Sequence, residues 1–383
     1  MWPASRQAQG VLIVGAAAFA SMYLLFSAGP VMVARTSGSF GAGLVTTVFM
    51  STTILAQFLT PMGLRRLPPA RLLLLSLLFL SLPSVVYALD VPAWALVGAA
   101  ALRGVGFGLM TIVCTAMVSL YAEPGKQGAA LGLYGLATSL TGIVAPSLGV
   151  LILEKWGGLL VAAASFAVPL AGVLFLGPIQ RATPFPVSSR QGDPESSRGK
   201  AWTWARFAPL AIFVPVAIAY GGSYTFLPLF SPLAAVGLLM LGLGFAVGRV
   251  VGGRLVDRTR SAVVTGPFAL LAALGLVMVA WIPTPTLAVM ASGVLGFGIG
   301  GAASASLAGM MASVAPPQYG FVSTAWNLSF DLGIALGGLG LGLIIAPWGF
   351  PGGSTVLAGV MALIVVIFFV PLARLRRYAG SPP

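Results

Sequence analysis

The sequence contains no histidine and a single cysteine, Cys114. Without histidine, imidazole-based general-base, nucleophilic and metal chemistry is excluded. A lone cysteine excludes a disulfide framework and any cysteine-pair metal site. Charge is scarce as well: only 7% of the 383 residues are Asp, Glu, Lys or Arg, against roughly a quarter in an ordinary soluble domain. So few charges do not cover the surface of a soluble fold of this size. A nucleotide-binding loop is also missing, because neither Gly-Lys pair, at 125–126 or at 199–200, has the upstream glycine spacing. What abounds is apolar: 58% of residues are hydrophobic, with 50 Gly and 28 Pro. That content excludes disorder and leaves a lipid bilayer as the natural solvent. No cofactor, no metal and no enzymatic activity are expected. The net charge of +13 does not indicate nucleic acid, since the cations fall between apolar runs and form no aromatic-interleaved patch.

A bilayer-spanning helix needs about 20 mostly apolar residues. Twelve such runs can be drawn: 10–34, 41–63, 70–89, 92–121, 128–153, 157–177, 206–230, 233–256, 262–282, 286–314, 320–345 and 353–373. They are rich in Leu, Ala, Gly, Val and Ile without period-2 alternation, which favours helices over barrel strands. The first run is too long for a signal peptide and is followed by eleven more. An even number of spans puts both termini on one side. If that side is cytoplasmic, sixteen cations lie inside: Arg6, Arg65, Arg66, Arg71, Lys126, Arg181, Arg190, Arg198, Lys200, Arg206, Arg254, Arg258, Arg260, Arg374, Arg376 and Arg377. Only Arg35 and Lys155 lie outside, and Arg103 and Arg249 fall within spans. This is a strong positive-inside bias. The polar stretch 178–205, with Pro, Ser, Gly and charges of both signs, reads as a cytoplasmic linker. The expected fold class is an all-α membrane protein with 12 transmembrane helices in two six-helix bundles, 1–177 and 206–383, both termini cytoplasmic.

The halves look related. Gln57, Pro61 and Arg65 at the end of span 2 have the spacing of Arg249, Gly253 and Asp257 at the end of span 8, at an offset of 192. Gly-Phe-Gly at 106–108 in span 4 recurs at 296–298 in span 10, at an offset of 190, and Pro124 before span 5 answers Pro317 before span 11. Parallel six-helix repeats around a central site are an established transporter plan.

Gly253-Arg254-Leu255-Val256-Asp257-Arg258 resembles the cytoplasmic G-x-L-x-D-R signature of the major facilitator superfamily, and the resemblance covers essentially the whole chain. In the first half Pro61, Arg65 and Arg66 occupy the matching positions, so the acid is replaced there by Arg65. The resemblance implies that Asp257 latches the two domains, since a carboxylate is stabilised by helix N-terminal N–H groups and nearby Arg. Headgroup anchoring by Arg258 and Arg260 is the alternative. Gly135, Gly142, Ala145-Pro146 and Gly149 in span 5 resemble the G-x-x-x-G-P-x-x-G motif of exporting antiporters, with Ala145 in place of Gly. Small residues let helices approach closely, and Pro frees a carbonyl and bends its helix. Ordinary Gly-rich membrane packing gives the same pattern. The family's fourth span often carries an Arg four residues before a Gly; with Gly104 as that Gly, Arg103 sits three residues past the expected Ala100 on the same helix face. The stretches Phe330-Asp331-Leu332-Gly333 in span 11 and Tyr220-Gly221-Gly222-Ser223-Tyr224-Thr225-Phe226-Leu227-Pro228 in span 7 resemble the drug-and-metabolite efflux, arabinose-efflux-like branch.

Only three charged residues fall clearly within spans, away from their ends: Arg103, Arg249 and Asp331. Such groups cost several kcal/mol at the bilayer centre and are functional candidates. Asp331 is the one acid among them. Burial favours its neutral form and a nearby Arg its charged form, the contest that proton coupling requires. A fixed Asp–Arg pair and direct substrate contact are the other roles open to it. Arg103 is assigned to proton coupling or to an anionic group, with structural pairing as the alternative. Arg249, about two turns from the end of span 8, either snorkels or steadies Asp257 in the gate. Tyr23, Tyr134, Tyr220, Ser223, Tyr224, Thr225, Trp326 and Asn327 are candidate cavity residues, and interfacial anchoring is the competing role for the aromatics. By resemblance, spans 1, 4, 7 and 10 line the cavity.

The expectation is a secondary transporter working by alternating access: a proton-coupled exporter, an antiporter, of a small drug-like molecule or metabolite. Its partners are the small-molecule substrate, protons and the lipid bilayer, with no nucleic acid; it acts as a monomer in a bacterial-type inner membrane. An uncoupled or symport carrier of sugars or organic anions, a metallophore exporter of the same fold, and a membrane enzyme or receptor are the rivals.

Overall fold

The computed structural model describes residues 6–122, 127–177, 179, 204–259, 261–314 and 318–378. The linker expected at 178–205 lies almost wholly outside these residues, as do Pro124, Pro317, Lys126, Arg181, Arg190, Arg198, Lys200 and Arg260. Every regular element among the described residues is helical. In chain order they are α1 (Arg6–Arg66), α2 (Pro69–Ser81) continued by a 3-10 helix (Leu82–Ala88), α3 (Ala93–Tyr121), α4 (Gln127–Trp156), α5 (Gly158–Val173), α6 (Trp204–Phe230), α7 (Ala234–Arg258), α8 (Ser261–Trp281), α9 (Pro285–Ala312) and α10 (Tyr319–Tyr378). Nine helical stretches among the described residues are long and apolar enough to cross a membrane, and α5 is a shorter apolar helix. Helices dominate because acyl chains offer no hydrogen-bond partners, so the backbone must satisfy itself within each segment.

Three sharp turns rest on single glycines. Gly38 interrupts α1 at φ 60 and ψ -161, and Gly349 interrupts α10 at φ 69 and ψ 173. Gly157, at φ 85, separates α4 from α5. A side chain strongly disfavours these positive-φ extended conformations, so each helix is broken on a single glycine without an intervening polar loop.

The described residues fall into two compact units. One lies within residues 1–187 and also takes in Tyr224–Leu229 of α6; the other lies within 188–223 and 230–383. In the first unit α3 packs between α1 and α2. A Cβ at Gly104 would run into the Phe49 carbonyl, one at Gly106 into the Ser76 carbonyl and Leu80, and one at Gly108 into the Thr53 carbonyl. In the second unit α9 packs between α7 and α8 in the same manner. There Gly296 meets the Leu241 carbonyl, Gly298 meets Phe268 and Ala272, and Gly300 meets the Phe245 carbonyl. Each glycine and each of its partners recurs 192 residues later. The Gly-Phe-Gly pairing at an offset of 190 is therefore two residues out of register: Gly104, Gly106 and Gly108 correspond to Gly296, Gly298 and Gly300. Small residues at these seams let backbones touch, as membrane helices require in the absence of a hydrophobic drive between them.

Buried hydroxyls are mostly spent locally. Thr53 Oγ1 donates to the Phe49 carbonyl (2.9 Å), Thr60 Oγ1 to Ala56 (2.6 Å), Ser84 Oγ to Leu80 (2.8 Å) and Ser223 Oγ to Ala219 (2.6 Å). Bonding back to the i−4 carbonyl neutralises a polar group without leaving the helix.

Candidate functional site

Arg103 is 1% exposed, the largest fully buried side chain of the described residues. Its Nη1 donates to the Leu80 carbonyl at 2.5 Å and to Ser84 Oγ, and its Nη2 to the Ser21 carbonyl at 2.8 Å and Ser21 Oγ at 3.4 Å. All four acceptors are neutral oxygens. They come from α1, from α2 and from the 3-10 helix, so one guanidinium on α3 ties three elements together. Its fork geometry suits several fixed acceptors at once. Ser84 is available because the 3-10 turn, which contains Pro83, brings it beside the end of α2. Beside the guanidinium is a cavity about the size of one water molecule, lined by Met22, Phe26, Thr46, Phe49 and Tyr87 among others. Sequence reasoning did not find the acceptors Ser21 and Ser84; a serine midway along one apolar span and another near the end of a second carry no signal of their own.

The antiporter-like residues of α4 lie largely along its seam with α1. Ser27 Oγ donates to the Pro146 carbonyl at 2.7 Å. A Cβ at Gly149 would strike the Leu24 backbone, and one at Gly142 would come within 3.1 Å of the Tyr23 ring. Gly135 differs, with nothing within 4 Å of its Cβ position. Pro146 has no N–H, so the Gly142 carbonyl loses its partner within the helix. The Tyr224 hydroxyl donates to it at 3.4 Å. Thr225 Oγ1 lies 2.8 Å from Thr46 Oγ1, and the Tyr224 ring lies 6.1 Å from that of Tyr23. These contacts belong to the first unit, which includes Tyr224–Leu229.

The remaining cavity candidates are mostly inward-turned. Tyr134 is buried with its hydroxyl 3.7 Å from Met110 Sδ. Tyr220 and Trp326 are buried, and Trp326 Nε1 donates to Ser306 Oγ at 3.0 Å. Asn327 is exposed and donates to the Ser323 carbonyl at 2.8 Å. Asp331, one turn further along α10, is half-buried, and Thr324, one turn before Asn327, is exposed. The 3- and 4-residue spacing puts Thr324, Asn327 and Asp331 on one helix face.

A network of rings runs through the second unit, mostly unforeseen from sequence. Phe213 of α6 stacks on Trp326 at 4.9 Å and on Phe330 at 5.7 Å, with planes within 18°. Tyr220 lies 5.3 Å from both Phe330 and Phe245, and Arg249 Cζ sits 5.8 Å from the Phe245 centroid. Arg249 itself is exposed. The first unit has a neutral counterpart surface: Thr111, Thr115 and Ser119 recur every four residues on α3, and Gln57 Nε2 lies 3.4 Å from Thr111 Oγ1.

At the end of α7 Arg254, Asp257 and Arg258 are exposed and Gly253 is half-exposed. The last turn of a helix favours cations and disfavours a carboxylate. Arg254 and Arg258 therefore suit their own helix, while Asp257 does not.

Comparison with solved structures shows the fold. The chain is similar to the POT family transporter PepTSo (14% identity, TM-score 0.75, covering 100% of this chain and 99% of that one). It is equally similar to a bacterial homolog of the human lysosomal transporter Spinster in an inward-facing, unoccupied conformation (15%, 0.75, 98% of each). A POT family transporter in complex with 5-aminolevulinic acid is also similar (12%, 0.74, 94% and 96%). No curated protein matches the chain significantly in sequence. The family model of the Major Facilitator Superfamily matches residues 11–338. With apolar helices throughout, a repeated glycine frame and that match over most of its length, the chain belongs to the Major Facilitator Superfamily, a multi-pass membrane transporter by family.

Proposed function

We propose that this chain is a twelve-span secondary transporter that exports a small organic compound in exchange for protons, by alternating access of bundles 1–177 and 206–383 joined by the linker 178–205. Taking α1 and α10 as two spans each, across Gly38 and Gly349, gives twelve and returns both termini to one side. The excess of cations assigns that side to the cytoplasm. Four exposed tryptophans support the same arrangement: Trp94, Trp156, Trp281 and Trp348 all stand at helix ends that reach the opposite side, where an aromatic belt is expected. A bacterial-type inner membrane and a monomer complete the reading.

The observation that carries the coupling is Asp331. It is the one acid within a span, half-buried on the face of α10 that also exposes Asn327 and Thr324. A carboxylate at such a place trades protons when its surroundings change between conformations. The four neutral acceptors around Arg103 support a bracing role for that residue in place of coupling. Asp257, out of place on its own helix, suits a partner helix N-terminus and so a gating contact, with Gly253, Arg254 and Arg258 completing the motif.

The test is transport in liposomes under an imposed pH gradient with a panel of drug-like compounds and metabolites. Wild-type transport should follow the gradient. Asp331→Asn should uncouple it, lowering gradient-driven accumulation by about tenfold or more, on the scale of a lost acid–base group. If Asp331→Asn still accumulates substrate as the wild type does, the coupling assignment is wrong.

A further inference from the structure

We propose that the first unit carries a site for one halide ion, chloride in practice, in the cavity beside the buried guanidinium of Arg103. The site does not depend on the transport reading above, because it follows from the charge balance within one unit.

Arg103 stands ten residues past Ala93, the start of α3, about 15 Å along the helix axis. That is close to the middle of a hydrocarbon core about 30 Å thick. The side chain is 1% exposed, and a guanidinium keeps its proton even there. Its four acceptors are carbonyls and hydroxyls. They satisfy hydrogen bonds and leave the charge unbalanced. The acids among the described residues of the first unit are Asp90 and Glu154. Asp90 precedes α3, Glu154 lies in the last turn of α4, and both are exposed. Neither reaches the depth of Arg103. A buried charge without a counter-charge is costly, and a small anion beside it removes that cost.

The geometry leaves room and a donor for one. All four hydrogen bonds run from Nη1 and Nη2, and none runs from Nε. Ala100, one turn earlier on the same face of α3, lines the cavity with Arg103, and Phe26 and Phe49 form apolar wall. The lining hydroxyls are already engaged: Thr46 Oγ1 lies 2.8 Å from Thr225 Oγ1, and the Tyr87 hydroxyl donates to the Leu96 carbonyl at 3.0 Å. A water molecule in this place leaves the charge unbalanced and meets few acceptors for its own hydrogens, although buried water usually makes about three hydrogen bonds. A halide is little larger than water, needs donors only, and tolerates apolar wall. Sulfate and organic carboxylates are too large for a cavity of one-water size, and a divalent anion loses more on dehydration.

The test is equilibrium binding of radiolabelled chloride to the purified full-length protein, across the millimolar range, at constant ionic strength with gluconate as the replacement anion. Chloride should bind saturably at one ion per chain, with bromide competing and sulfate not competing. An ion that binds the folded state stabilises it, so melting temperature should be higher in chloride than in gluconate. Folded Arg103→Gln should weaken binding about tenfold or more. Ala100→Val keeps the guanidinium, fills the cavity, and should weaken binding by a similar factor. Equal melting temperatures in chloride and gluconate, with no saturable binding, assign the cavity to water and overturn the proposal. Chloride binding undiminished in folded Ala100→Val overturns it too, since the ion would then sit on surface cations. The wild-type measurement decides even where a variant does not fold.

Discussion

Arg103 and Leu295 stand 192 residues apart on the same glycine frame, and both are buried. Gln57 and Arg249 are the other pair at that offset. The first is half-buried beside Thr111, and the second is exposed over Phe245. The two repeats therefore carry their intramembrane cation in opposite places. In the first it is the centre of the packing, surrounded by carbonyls and hydroxyls from three elements. In the second the core position is aliphatic and the cation stands at the surface. The difference teaches that a charge within a span has no single meaning. Arg103 is enclosed by neutral acceptors from three elements, whereas Arg249 stands exposed over an aromatic ring.

The comparison can be broken at its strongest point first. Arg103→Leu copies the second repeat into the first but strands the Leu80 and Ser21 carbonyls, so a loss of about 3 kcal/mol is expected, read as a large drop in melting temperature in detergent. Leu295→Arg runs the exchange the other way without building acceptors, and the variant is expected to fail to accumulate in the membrane, checked by expression and gel filtration. Next comes the shared frame. Gly104→Val and Gly296→Val place side-chain carbons against equivalent carbonyls and should each lower stability by roughly 1–3 kcal/mol, by similar amounts; a large inequality would show that the repeats do not share the frame. Smaller is Tyr224→Phe, which leaves the Gly142 carbonyl freed by Pro146 without its hydroxyl donor; about 1 kcal/mol is expected, and Pro146→Ala in the same background should abolish that difference by restoring the helix bond. Smallest is Gln57→Arg, which gives the first repeat the second repeat's exposed cation. Stability should change by about 0.5 kcal/mol or less if an arginine at position 57 is exposed as Arg249 is.

Much of the fold was legible because its driving force is. Runs of Leu, Ala, Val and Ile longer than a bilayer is thick have few structural options, and the structured segments follow those runs closely. The turns were less legible. A lone Gly38 or Gly349 among 50 glycines carries no mark of its positive φ, which is imposed by where the next helix must go. The repeat was visible but misaligned, because Gly-Phe-Gly matches itself at 190 as letters while carbonyl contacts match at 192. The antiporter-like motif was legible as residues, and its meaning emerged only with the α1 seam: Pro146 and Gly149 meet α1 there, Gly142 meets Tyr23, and Gly135 faces open space.

By itself the sequence determined the solvent of this protein, the helical character of its segments and the short list of charges within them, because hydropathy and charge act locally and need no partner to be read. Which of those charges is buried and which is reachable was decided by tertiary structure alone. Arg103 and Arg249 are both arginines within apolar runs. The positions of Ser21, Leu80 and Ser84 around one, and of Phe245 beside the other, separate an enclosed guanidinium from an exposed one.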